Sequence, residues 1–339
     1  RMDVSRIFDA LNDAQREAVG ATPGPMLVLA GAGSGKTRVL TYRIAYLVQA
    51  LQASPYSILA VTFTNKAASE MRRRIEDFLG FSVRGMWIGT FHGLSHRLLR
   101  DHHELAGLPS GFEILDSDDQ YRVIRRALRE MNLDEEHWPP RQVQWFINSQ
   151  KEEGRRSAAL HGTGDAHQQT LIRVYTHYEE TCKRLGLVDF AELLLSALEL
   201  LEQNQSLREN YQQRFQHVLV DEFQDSNTIQ YRWLKCLALA HGQIMAVGDD
   251  DQSIYGWRGA RIENMAQLQK DFTGTEVVRL EQNYRSTGNI LKAANAVIDL
   301  NPDRMGKNLW TEDDDGEPIR VYGALDELDE GRFVIDRIE

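Results

Sequence analysis

The chain has 339 residues, 42% of them hydrophobic and 26% charged, a balance suited to a globular protein of two or three packed units. No stretch approaches the roughly 18 unbroken apolar residues of a membrane span, and the N-terminus has no apolar signal core, which argues against a membrane or secreted protein and for a cytoplasmic one. The net charge of −11 weighs against a polyanion partner only until it is mapped: residues 311–339 hold eleven acids and three bases, a balance of −8, which leaves −3 for the first 310 residues.

Arg1 ahead of Met2 reads as a remnant of expression. Two cysteines, Cys182 and Cys236, lie far apart without CxxC spacing, so both are expected to be buried small hydrophobes rather than a disulfide or zinc ligands.

In chain order, the first chemical signal is LNDAQREAV at 11–19, where Gln15 stands one helical turn past an Asn12 cap. An amide that both donates and accepts can read the N6/N7 edge of adenine, which makes Gln15 a candidate for choosing ATP over GTP. A strand at 26–30 then runs into AGAGSGKT at 30–37 and a helix over 38–51, the context of a phosphate-binding loop. Gly31, Gly33 and Gly35, with Ala32 and Ser34 between them, let backbone N–H groups turn inward around phosphate oxygens. Lys36 can neutralise the terminal phosphates and the Thr37 hydroxyl can ligate Mg²⁺. Ala30 stands where the strict pattern has glycine.

Strands are next expected at 59–63 and 86–90. Between about 92 and 215 the strand signal vanishes. Helical spacing at 94–99, 121–131, 142–150, 171–185 and 191–201, broken by Pro109, Pro139, Pro140 and glycines, predicts an all-helical insertion. HVLVDEFQD at 217–225 sets two carboxylates at the end of a strand over 218–221. Asp221 is then a candidate magnesium ligand, and Glu222 a candidate base for the water that attacks a γ-phosphate. A strand at 244–247 enters GDDDQSIYGWRGA at 248–260, whose Asp249, Asp250 and Asp251 read as acceptors of backbone hydrogen bonds without a catalytic role. A last strand is expected at 277–280. The acids at 312–315 read as a solvated turn before 319–322, and helical spacing over 327–339 stops without a cap, so the chain is expected to end within a domain. The fold class expected is α/β: a parallel sheet carrying a phosphate-binding loop, interrupted by helices.

The motifs LNDAQREAV, AGAGSGKT, VTFTNKAASEM (61–71), GTFHG (89–93), LVDEFQD, VGDDDQSIYGWRGA and LEQNYRS (280–286) occur in one order over some 275 residues, and in this the chain resembles UvrD/Rep/PcrA-type helicases of superfamily one. The resemblance implies a P-loop NTPase with a RecA-like parallel sheet. Residues 1–91 and 216–279 would form the first RecA-like domain, 92–215 its helical insertion, and 280–339 the start of a second such domain. It further implies that Phe63, Asn65, Thr90, His92, Tyr255, Trp257 and Arg258 contact single-stranded DNA. Arg74 would reach the nucleotide phosphates, Tyr284 would stack on adenine opposite Arg38, and Gln252 would sense the γ-phosphate while Arg285 acts on it as an arginine finger.

The implied activity is ATP hydrolysis driving 3′-to-5′ movement on DNA in repair or replication, with single strands and strand junctions as track and repair proteins as further partners. A chain ending at 339 would lack the later motifs and is not expected to unwind processively. Trp257 stands five positions after Gln252, so their backbones lie no more than about 18 Å apart and one loop can touch both ligands. A nucleotide-dependent DNA-binding module without turnover is the second reading. A small-molecule phosphotransferase is a third, and it leaves Phe63, Tyr255 and Trp257 unexplained.

Overall fold

A strand covered by helices on both faces must be apolar on both, and four short runs meet that condition in full. β1 (Met26–Ala30), β2 (Ile58–Thr62), β3 (Trp87–Thr90) and β7 (Ile244–Gly248) are buried at every residue, and β6 (His217–Val220) at all but His217. With β8 (Glu276–Leu280), whose alternating exposure marks an edge, they form one sheet in the order β3-β2-β6-β7-β1-β8. Every pairing is parallel, with Val28 opposite Val247 on one side and Val278 on the other. This is the computed structural model of residues 4–161 and 164–338. Arg1, read above as a remnant, lies outside the described residues.

Because side chains alternate along a strand, the sheet divides its residues between two cores. Leu27, Leu29, Leu59 and Val61 join one; Met26, Val28, Ala30, Ile58 and Ala60 join the other. Helices α1 (Ser5–Phe8), α2 (Asp13–Gly20), α3 (Lys36–Gln49) and α4 (Asn65–Leu79) pack against the second core, and α11 (Thr228–Ala238) and α12 (Glu263–Asp271) against the first. The helix expected at 38–51 starts earlier, at Lys36, because the left-handed Gly35 caps it.

Between β3 and β6 lie α5 (Phe91–Asp101), α6 (Ser117–Glu130), α7 (Pro140–Glu152), α8 (Ala166–Leu185), α9 (Phe190–Gln203) and α10 (Gln205–Arg214). α5 and α9 complete the first core, while α6, α7 and α8 close a third of their own around Ile124, Ile147, Tyr175 and Tyr178. The insertion is not wholly helical: β4 (Glu113–Leu115) and β5 (Leu187–Asp189) pair in parallel, each too short for an alternating pattern to show. Cys182 is buried as expected, but Cys236 is only partly so. The acids at 312–315 are exposed, residues 319–322 form no strand, and after α13 (Gly288–Ile298) the last element is α14 (Glu327–Ile338), with no buried residue.

Candidate functional site

All six strands of the main sheet end on one edge, where open parallel sheets hold ligands. After β1 comes the loop 31–35, with Gly33 at φ 66° and Gly35 at φ 87°. Its carbonyls are tied back: Asn283 Nδ2 donates to Ala32 O, the Tyr284 N–H to Gly33 O at 2.9 Å, and Gln15 Nε2 to Ser34 O at 2.9 Å. The first N–H groups of α3 have no intrahelical acceptor, so the loop and helix start present donors and a positive dipole end to a cleft of about 440 Å³. Gln15, Ala32, Gly33, Ser34, Gly35, Lys36, Thr37, Arg38, Arg74, Glu222, Gln252, Tyr284 and Arg285 line it. Of the residues expected at a nucleotide, Asp221 is not on that wall, and neither is Gly31, whose N–H donates to Leu280 O at 3.0 Å.

Asn12 and Gln15 form a reciprocal cap on α2, so the Gln15 amide oxygen accepts the Asn12 N–H at 3.0 Å while its nitrogen braces the loop. One hydrogen and one lone pair of that amide remain for a ligand. Asn12 Nδ2 also donates to Tyr284 Oη at 2.8 Å, and Arg38 Nη1 to Ala10 O at 3.2 Å. Arg74 Nε is held by Glu70 Oε1 at 2.7 Å.

Lys36 Nζ lies 3.0 Å from Glu222 Oε2, which also accepts Gln224 Nε2 at 2.7 Å. Glu222 takes the left-handed conformation, φ 48°, where a residue other than glycine is strained. Asp221 is 7% exposed and receives the Glu222 N–H at 2.8 Å, with no ion pair among the described residues. Burial, and next the charge of Glu222, push its carboxyl up to about 6; the same two causes bring Asp225 to about 6.

A second, larger cleft of about 780 Å³ opens beside Phe63, His92, Tyr255, Trp257 and Arg258. Trp257 is 71% exposed, its ring 6.5 Å from Tyr255, and the Arg258 guanidinium sits 4.5 Å above the Trp257 centroid. Phe63 leans edge-on against Phe91 and His92 against Phe190. Burial lowers the His92 pKa, favouring the neutral ring. Asn65, exposed at the start of α4, and Thr90, whose Oγ1 caps α5 by accepting the Gly93 N–H at 3.0 Å, stand outside this lining. The turn after β7 thus reaches both clefts, with Gln252 on the first and 255–260 on the second.

The family model of the UvrD/REP helicase N-terminal domain matches residues 11–273, and that of the UvrD-like helicase C-terminal domain matches 278–339. The chain belongs to the UvrD/REP helicase family. It is 60% identical over 338 residues to DNA helicase II of Escherichia coli, 56% over 342 to that of Haemophilus influenzae, and 43% over 336 to the ATP-dependent DNA helicase PcrA of Staphylococcus aureus. These alignments cover 99–100% of this chain and 46–47% of the relatives, so the chain spans about half the length of the curated relatives it matches. Among the described residues no helix is long and apolar enough to cross a membrane.

In this UvrD/REP helicase chain the second cleft has a wall that the motifs did not announce. α7 contributes Trp145, Asn148, Ser149 and Glu152, with Trp145 68% exposed. The sequence signal was an aromatic on the polar side of an amphipathic helix, but only tertiary packing sets that side against 255–260. Asp225 also lines the cleft, and its Oδ1 is buried without a hydrogen-bond partner.

Proposed function

We propose that this chain carries the ATP-hydrolysing, strand-gripping part of a 3′-to-5′ DNA translocase of the UvrD type, acting in the cytoplasm in DNA repair or replication. Its track would be single-stranded DNA and single/double-strand junctions, with repair proteins among its partners. Residues 1–91 and 216–279 form the first motor domain in this reading, 92–215 its insertion and 280–339 the start of the second. The observation that carries it is the turn 249–258, which sets Gln252 on the phosphate cleft and Trp257 on the aromatic one.

ATP would enter between Tyr284 and Arg38, with its phosphates over the N–H groups of 33–37. The incoming charge competes with Glu222 for Lys36, and a Glu222 released from that pair can orient and deprotonate the attacking water. Gln252 and Arg285 then meet charge that develops on the γ-phosphate, where stabilisation counts most. The buried Asp221, without an ion pair among the described residues, together with the Thr37 hydroxyl suits magnesium, which when bound would neutralise phosphate charge. On the other side, Phe63, Tyr255 and Trp257 can stack on bases of any sequence, each stack being worth roughly 1–3 kcal/mol, and Asn65, Thr90, His92 and Arg258 would touch the backbone.

ATP turnover with and without single strands tests the reading. Strong stimulation is expected. Lys36→Ala should reduce hydrolysis by about a hundredfold or more, and Trp257→Ala should weaken stimulation more than basal turnover. Flat, near-zero rates with intact strand binding would favour the binding module instead. Absence of Trp fluorescence quenching by single strands at low salt would favour a phosphotransferase.

A further inference from the structure

Three consecutive carboxylates follow β7, and one oxygen from each of Asp249, Asp250 and Asp251 falls within 4.8 Å of the others. The chain itself supplies their cation. Lys307 Nζ pairs with all three, reaching Asp250 Oδ1 at 2.9 Å and Asp251 Oδ2 at 2.8 Å, and its side chain is 2% exposed. Arg304 grips Asp251 through two bonds of 2.8 Å, and the Met305 N–H donates to Asp250 Oδ2 at 2.7 Å. From β8, Arg279 holds the carbonyls of Met305 and Gly306. An ammonium stays out of water only with such compensation: burial alone would lower the Lys307 pKa, yet the hydrogen bonds it donates to Asp249 and Asp251 raise it.

Asp249 faces two ways. One oxygen meets Lys307, while the other accepts the Gln252 side-chain amide. Its N–H donates to Gln224 Oε1 at 3.0 Å, and Gln224 Nε2 in turn holds Glu222, the partner of Lys36. A continuous set of polar contacts therefore joins the phosphate-loop lysine to residue 307, which lies in the segment matching the C-terminal domain family.

We infer that Lys307 is a positioning residue for ATP hydrolysis: by neutralising Asp249 it fixes the Gln252 amide in the phosphate cleft, and with Arg304 it anchors the turn whose far end carries Trp257. This rests on the ATPase reading above. Without the ammonium, Asp249, 2% exposed, keeps an unpaired buried charge. It must then turn toward water, and Gln252, bonded to it, goes with it. The contacts of the phosphate loop itself, to Gln15, Asn283 and Tyr284, do not involve Lys307.

The test compares Lys307→Met with Lys307→Arg, which keeps the charge; Lys307→Gln replaces the methionine variant should that one not fold. In the methionine variant kcat for ATP should fall by about tenfold or more while KM changes by less than about threefold, and arginine should restore most of kcat. Amide hydrogen exchange across 249–258 should speed up by about tenfold or more in the nucleotide-free variant, with 30–37 unaltered. Unchanged exchange overturns the inference. So does faster exchange at unchanged kcat, which would leave Lys307 a purely structural clamp. If the parent chain itself does not turn ATP over, the proposed function fails, and exchange in the nucleotide-free proteins still decides whether Lys307 holds the turn.

Discussion

Gly33 sits at φ 66°, with Asn283 Nδ2 2.7 Å and Arg285 Cβ 2.8 Å from the point where its own Cβ would stand. An alanine there must adopt a left-handed conformation, which costs about 1–3 kcal/mol, and must also push the 283–285 turn off the loop. Gly33→Ala is therefore expected to lower stability by about that amount in chemical denaturation and to weaken binding of a fluorescent ATP analogue by about tenfold or more. Equal affinity would mean that the loop and the 283–285 turn do not depend on each other. The glycine was legible in the sequence because that residue type turns the backbone this way at least cost, Lys36 by its place in the Gly-Lys-Thr that opens a helix, and Asp221 and Glu222 by their place after a strand. Asn283 was not, since a polar residue about 250 positions downstream gives no local sign that it closes the loop. Lys307 was hidden for the same reason: a lysine in a polar stretch reads as solvated until the chain that follows β8, two places from β7 in the sheet, folds back onto the turn after β7.

At the scale of the element, α7 shows what helical spacing leaves open. Its existence was plain from the 142–150 pattern, but spacing cannot say which neighbour a polar face meets, and here that face lines the aromatic cleft with Trp145 and Glu152. Burial, and then the charge of Glu153, push the Glu152 carboxyl up to about 7. The folded protein thus holds this proton more tightly than the unfolded chain, whose carboxyl has a pKa of about 4.5. The stability that the raised pKa contributes is complete below about 4.5 and is lost as pH rises through 7. A polyanion laid in the cleft favours the neutral form further. Single-strand affinity should accordingly fall as pH climbs from 7 to 8, by at most about tenfold per unit for one linked proton. Glu152→Gln should flatten that dependence and tighten binding at pH 8, read by fluorescence titration at fixed salt. An unaltered slope in the variant would place the linked proton elsewhere. The short β4 and β5 belong to the same lesson, because three residues show no alternation and only their pairing reveals them.

Across the whole molecule, the sheet and the insertion are stabilised by different means. The sheet strands were readable because burial on both faces demands unbroken apolar runs, and their apolar side chains build the two cores. The insertion instead joins its parts through buried charge. Lys151 Nζ, on a side chain 2% exposed, lies 2.7 Å from Asp189 and 2.8 Å from Glu192, Tyr178 Oη donates to Asp189 at 2.6 Å, and Arg156 reaches Glu192 at 2.6 Å. In the sequence Lys151 and Arg156 sit in the mixed-charge run KEEGRR, with Asp189 38 positions beyond Lys151, and nothing local distinguishes Lys151 from its neighbours. Removing the ammonium leaves two buried carboxylates with fewer partners, which typically costs about 3–5 kcal/mol. The loss should be graded: α6, α7 and α8 share a core separate from both faces of the sheet, whereas Asp189 and Glu192 stand at the start of α9, which packs in the first core, so the effect should be largest in the insertion and fade toward the strands. Lys151→Met is therefore expected to raise hydrogen exchange in 117–185 while the strands at 26–30 and 244–248 keep their protection and the phosphate cleft keeps its nucleotide affinity. Equal loss of protection in sheet and insertion would show that the two unfold as one cooperative unit, so that the buried charges of the insertion support the main sheet as well.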